Sequence, residues 1–135
     1  MLRRRRILVA EDDQDVRELI RTRLTSAGFD VHTARNGIEA LSRASTVKPD
    51  AMVLDINMPE VDGFSVLEAL KVSGYVFPVL VLTARHAADD VRRAIGLGAK
   101  DYLTKPFTEA QLQARVARLL RSPVLTGRPV TMLAS

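Results

Sequence analysis

Ala51-Met52-Val53-Leu54-Asp55, running on into Ile56-Asn57, is the stretch that decides the fold. Four apolar residues in an unbroken run end in a carboxylate. A run so short and uniformly apolar reads as a strand buried on both faces, the pattern of a parallel sheet. Two other stretches share this form. Ile7-Leu8-Val9-Ala10 ends in Glu11-Asp12-Asp13, and Val79-Leu80-Val81-Leu82 ends in Thr83. Phe29 to Ala34 and Lys100 to Thr104 are weaker strand candidates, the second with only Tyr102 and Leu103 clearly apolar.

Between these runs the apolar period becomes helical. Val16, Leu19, Ile20, Leu24 and Ala27 form one face of an amphipathic helix, with Gly28 as its stop. Further helices are predicted from about Gly37 to Val47, from Gly63 to before Gly74, from Ala88 to Leu97, and between Pro106 and Pro123. Five β-then-α units in succession give an α/β fold, a single five-stranded parallel sheet with helices on both faces. Residues 1–121 are read as one domain. From Ser122 to Ser135 the periodicity is lost, and the stretch reads as a tail or a truncated linker.

Composition sets outer bounds. The 135 residues suit one domain, able to hide roughly two-thirds of its unfolded surface. With 47% apolar and 4% aromatic residues, its core is aliphatic. No cysteine is present, which excludes disulfide and thiolate chemistry. No apolar stretch nears the ~20 residues of a membrane span. Glu11, Asp12 and Asp13 interrupt any signal core, so a soluble cytoplasmic protein is expected. The net charge of +4 rests on Arg3 to Arg6, since the other sixteen basic residues balance sixteen acids. That run is either an anion-attracting arm or a solvated lead-in to the first strand. The lead-in is preferred, because no aromatic residue or second basic cluster accompanies it.

In open parallel sheets, ligands bind beyond the carboxyl ends of the strands. The residues placed there are Glu11, Asp12 and Asp13 after strand one, Asp55 at strand three, Thr83 at strand four and Lys105 after strand five. Crowded carboxylates repel one another unless a cation neutralises them. An all-oxygen set without histidine or cysteine favours a hard ion such as Mg²⁺. Lys105 adds a positive charge and Thr83 a hydroxyl, both suited to a phosphoryl group, with Asp55 the nucleophile that would become an aspartyl phosphate.

The stretches ILVAEDD, LDINMPEVDG, VLTA and GAKDYLTKPF, in this order from residue 7 to 107, resemble the receiver domain of two-component response regulators. The resemblance covers about Arg5 to Leu120. It implies a flavodoxin-like (βα)5 fold with strand order 2-1-3-4-5, and Asp55 as phosphoacceptor. It implies Mg²⁺ held by Glu11, Asp12, Asp55 and the backbone carbonyl of Asn57, with Asp12 the direct ligand of the acidic pair and Asp13 a helix cap. It makes Thr83 and Tyr102 the switch hydroxyl and aromatic, Lys105 the phosphate-pairing amine, and Lys105-Pro106 a cis bond. The implied donor is a histidine kinase, and the implied response is a shift of the surface around helix four, strand five and helix five.

The ARVARLLR pattern of helix five (residues 114–121) resembles regulators with a winged-helix DNA-binding output domain. In that subgroup Asp101 would pair with Arg115 or Arg118 across a homodimer formed through helix four, strand five and helix five. No output domain lies in these residues, so DNA contact would need one, and control of transcription is the expected output. A stand-alone receiver acting by protein contact is the alternative. The expected activity is that of a phosphoacceptor switch with at most slow self-dephosphorylation. A metal-dependent phosphatase is less favoured, because Asn57 stands where an acid/base aspartate is needed. A nucleotide binder would want a glycine-rich loop where Glu11 to Asp13 lie. Direct DNA binding through Arg3 to Arg6 is a third rival.

Smaller expectations follow from single residues. Asp62 is read as a helix N-cap, Gly63 as a turn residue, Met58-Pro59 as loop-shaping, His32 and His86 as surface histidines, and Arg85 as a regulator of water at the site.

Overall fold

The computed structural model describes residues 3–84 and 87–121. The elements in chain order are β1 (Arg6–Ala10), α1 (Gln14–Ser26), β2 (Asp30–Ala34), α2 (Gly37–Val47), β3 (Ala51–Asp55), α3 (Gly63–Val72), β4 (Val79–Thr83), α4 (Ala88–Gly96), β5 (Asp101–Thr104) and α5 (Glu109–Arg121). The five strands form one parallel sheet in the order β2-β1-β3-β4-β5, as expected. Every residue of β3 and β4 is buried, which is why those runs carry no polar alternation. The sheet separates two cores. Leu8, Met52, Leu54 and Val81 pack under α2, α3 and α4, while Ile7, Val9, Val53, Leu80, Leu82 and Leu103 pack under α1 and α5.

Helix starts follow the capping chemistry in the sequence. Asp13, Asn36 and Asp62 accept hydrogen bonds from the backbone N–H of Val16, Glu39 and Ser65. Leu19 departs from the expected buried face. It is 48% exposed, because Ile20 and Leu24 take the centre of the contact and leave it on the shoulder.

The arginine run also resolves. Arg3 forks onto Asp50 at 3.0 and 3.1 Å, the Arg6 N–H donates to the same carboxylate at 2.7 Å, and the Arg6 guanidinium donates to the Val47 carbonyl. Half-burial of Asp50 raises its pKa, but these donors outweigh that and hold it below the ordinary carboxylate value. Arg3 and Arg6 thus tie down the entry to β1, and Arg4 and Arg5 are left exposed.

Gly63 does more than turn the chain. A Cβ there would lie 2.6 Å from the Ile56 Cα and 2.7 Å from the Asp55 carbonyl oxygen, both backbone atoms. The bare glycine lets α3 abut the end of β3. Gly63→Ala is expected to cost about 1–3 kcal/mol through overpacking, read as a lower urea midpoint. An unchanged midpoint would show that the backbone yields freely.

Candidate functional site

Parallel strands put all their carboxyl ends at one edge, so β1, β3 and β4, adjacent in the sheet, deliver their terminal residues side by side. Glu11 and Thr83 are fully buried and Asp55 is 2% exposed. Such carboxylates persist only with partners. Lys105, just past β5, donates to Glu11 Oε1 at 2.7 Å and lies 3.4 Å from Asp55 Oδ2. The Asp13 N–H donates to Glu11 Oε2 at 3.2 Å, and the Asn57 N–H to Asp55 Oδ1 at 3.0 Å. Lys105 is itself placed by its backbone N–H, which donates to the Thr83 carbonyl at 2.8 Å, and by a cis bond to Pro106. The amine expected to serve Asp55 therefore sits closer to Glu11, since one ammonium is shared between two carboxylates.

The electrostatics show that this is no simple ion pair. Burial, then hydrogen bonding with Asp55, push Glu11 up to about 7, and Lys105 only partly opposes them. Burial pulls Lys105 down, yet the Glu11 hydrogen bond and the charge of Asp55 overcome it and raise it above 10.5. Two acids press on one base, and the site lacks positive charge. One oxygen from each of Glu11, Asp12 and Asp55 lies within 4.8 Å of the other two. This all-carboxylate, hard-donor set fits a divalent cation of the Mg²⁺ type.

Thr83 and Tyr102 share a sheet face. The register pairs Val81 with Tyr102 and Thr83 with Thr104, while Leu80, Leu82 and Leu103 turn toward α5. Among the described residues the Thr83 hydroxyl makes only a long contact, 3.5 Å to the Ala84 carbonyl. Tyr102 is 39% exposed, so it is not an ordinary core aromatic. Arg115 lies 5.8 Å from its ring centroid and donates to its carbonyl. Asp101, expected to pair across a dimer, here accepts from Arg115 at 3.3 Å and Arg118 at 2.5 Å within the same chain. Helix α4 beside them buries only Ala94 among its described residues, so little apolar area fixes it.

Arg85 and His86 lie outside the described residues. His32 is half-buried rather than a surface residue. Its Nε2 is 3.3 Å from Asp30 Oδ1 but lacks hydrogen-bond geometry, and it belongs to no acidic cluster. Sequence reasoning missed Arg17, whose guanidinium donates to the carbonyls of Glu11 and Asp12. An arginine one turn into a helix carries no signal of that contact.

Residues 7–117 match the response regulator receiver domain family. The transcriptional regulatory protein PrrA of Mycobacterium leprae is 50% identical over 116 residues, covering 86% of this chain and 50% of that protein. The alkaline phosphatase synthesis transcriptional regulatory protein PhoP of Bacillus subtilis is 42% identical over 117 residues, covering 87% and 49%. The chain thus spans about half the length of these relatives. Among solved structures, the Francisella response regulator 1452 receiver domain superposes with a TM-score of 0.81 at 35% identity, covering 87% of this chain and 97% of that one. The chemotaxis protein CheY4 of Vibrio cholerae does so with a TM-score of 0.83 at 28% identity, covering 87% and 99%. Sheet order, strand-end chemistry and these likenesses agree, and the chain belongs to the response regulator receiver domain family.

Proposed function

We propose that the chain receives a phosphoryl group on Asp55 from a phosphohistidine of a partner kinase and relays that event through α4, β5 and α5. The observation that carries this reading is the buried Asp55 carboxylate, set beside Lys105 and within reach of two further acids. An Asp55 oxygen attacks phosphorus, the O–P bond forms as the P–N bond breaks, and the imidazole leaves. Lys105 pairs with a phosphoryl oxygen, and the Thr83 hydroxyl, held among the described residues by one weak contact, turns to donate to another. Space vacated by Thr83 on the α4 face admits the Tyr102 ring from its exposed position. Glu11, Asp12, Asp55 and the Asn57 carbonyl would hold Mg²⁺, which when bound offsets the charge of the carboxylates and the phosphoryl oxygens.

Receivers of this family are signalling proteins, and we assign this one slow self-dephosphorylation at most. Residues 1–121 form the receiver in this reading, and residues 122–135, outside the described set, a tail or linker. The resemblance to transcriptional regulators supports control of transcription through a DNA-binding domain beyond these residues, with a stand-alone receiver as the alternative. Homodimerisation through α4, β5 and α5 would require Asp101 to exchange its intrachain arginines for a partner's. No helix among the described residues is long and apolar enough to cross a membrane, and a cytoplasmic location is proposed.

Incubation with acetyl phosphate and Mg²⁺, followed by mass measurement, tests the reading. One added phosphoryl group is expected, and none in excess EDTA. Labelling that is indifferent to EDTA would remove the metal from the proposal, and absence of labelling would remove the acceptor.

A further inference from the structure

The two backbone carbonyls that follow β1 have no strand partner. Those of Glu11 and Asp12 lie past the last ladder residue, Ala10, and both accept from Arg17 Nη1, at 2.9 and 3.3 Å. The Glu11 side chain is fixed independently, by Lys105 and the Asp13 N–H. Asp12 differs. It is exposed, and among the described residues its carboxylate receives no hydrogen bond or ion pair. What sets its position is its backbone, and the side chain that grips that backbone is Arg17, half-buried on the second turn of α1.

We infer that Arg17 is a positioning residue for the cation site: by bridging the Glu11 and Asp12 carbonyls it fixes the backbone from which Asp12 projects, and so strengthens divalent-cation binding. The inference rests on the Mg²⁺ reading above and extends it to a residue that is not a ligand. A guanidinium acting only through its charge would have the opposite effect. It would repel an incoming cation, and its removal would tighten binding. Loss of an outer residue that orients metal ligands typically weakens affinity 10- to 100-fold. The lower end, about tenfold, is expected here, because Asp12 is exposed and water can replace the guanidinium at its carbonyl.

The test uses Mg²⁺ alone, titrated into the chain without a phosphodonor and followed through amide NMR shifts. Arg17→Met keeps the apolar stem and removes the donors. Arg17→Lys keeps the charge with one donor nitrogen. A dissociation constant raised about tenfold in Arg17→Met, with Arg17→Lys between it and wild type, supports the inference. An unchanged or lower constant in Arg17→Met overturns it. Thermal midpoints in EDTA show whether each variant is folded at the titration temperature. Should Arg17→Met not fold, Arg17→Lys decides, with weaker binding in support and wild-type binding against. A wild type that ignores Mg²⁺ overturns the metal reading and this inference together. A responsive wild type beside an unresponsive Asp12→Asn upholds the metal reading, whatever Arg17→Met shows.

Discussion

Asp55→Asn, treated with acetyl phosphate and Mg²⁺, is expected to gain no phosphoryl group under conditions that add one to wild type. The substitution exchanges one terminal oxygen for nitrogen at nearly constant volume, so the packing at the end of β3 survives. The amide carries no charge and offers no competent nucleophile, which removes the bond-forming atom itself. The effect on stability should run the other way. Glu11 and Asp55 now share Lys105, and the second carboxylate helps to hold Glu11 up near 7. With Asp55 neutral, Lys105 serves Glu11 alone, the repulsion disappears, and the thermal midpoint at pH 8 in EDTA should match or exceed that of wild type. Loss of labelling together with retained stability is the combined signature. Equal labelling of the Asn variant would place the acceptor elsewhere, and a collapsed midpoint would mean that Asp55 holds the fold rather than the signal.

Much of this was legible in the sequence because parallel sheets write themselves plainly. The buried runs at Ile7, Ala51 and Val79 have no polar alternation, and each ends in the residue that the sheet's edge needs. β5 is fainter in the sequence, signalled by Tyr102 and Leu103 alone, because Leu103 is its single buried residue. What escaped was contact between side chain and backbone. Nothing in the string shows that Arg17 reaches back to two carbonyls, or that Arg3 closes on Asp50 across 47 positions. The sequence marks Gly63 as a turn residue, whereas its lack of a Cβ is needed for close approach to Ile56. Apolar periodicity located α1 but ranked Leu19 with Ile20, since a stripe on a helix does not reveal which of its members the sheet covers. Spacing puts Lys105 just past β5, but its closer approach to Glu11 than to Asp55 depends on fractions of an ångström that spacing cannot carry.

The same shared ammonium governs the largest expected dependence on solution conditions. Glu11 holds its proton more tightly in the folded chain, at about 7 against 4.5 unperturbed. The folded state therefore binds more protons between those values, and stability falls as pH rises through that window, then levels off. Lys105, raised above 10.5, contributes constantly below that value, and Asp50, lowered from 3.8, contributes constantly above it. Neither masks the slope between pH 5 and 8. At 1.36 kcal/mol per pH unit the Glu11 contribution is on the order of 3 kcal/mol. For a domain of this size that is a thermal midpoint on the order of 10 °C higher at pH 5 than at pH 8 in EDTA. Mg²⁺ should cancel this slope, because the cation binds the charged carboxylates and displaces the Glu11 proton, so stabilisation by metal grows from pH 5 to 8. Glu11→Gln removes the titrating proton and should flatten the metal-free profile. A metal-free midpoint that climbs steadily from pH 5 to 8 would mean that Glu11 is ionised throughout, with Lys105 alone sufficient to hold two buried carboxylates.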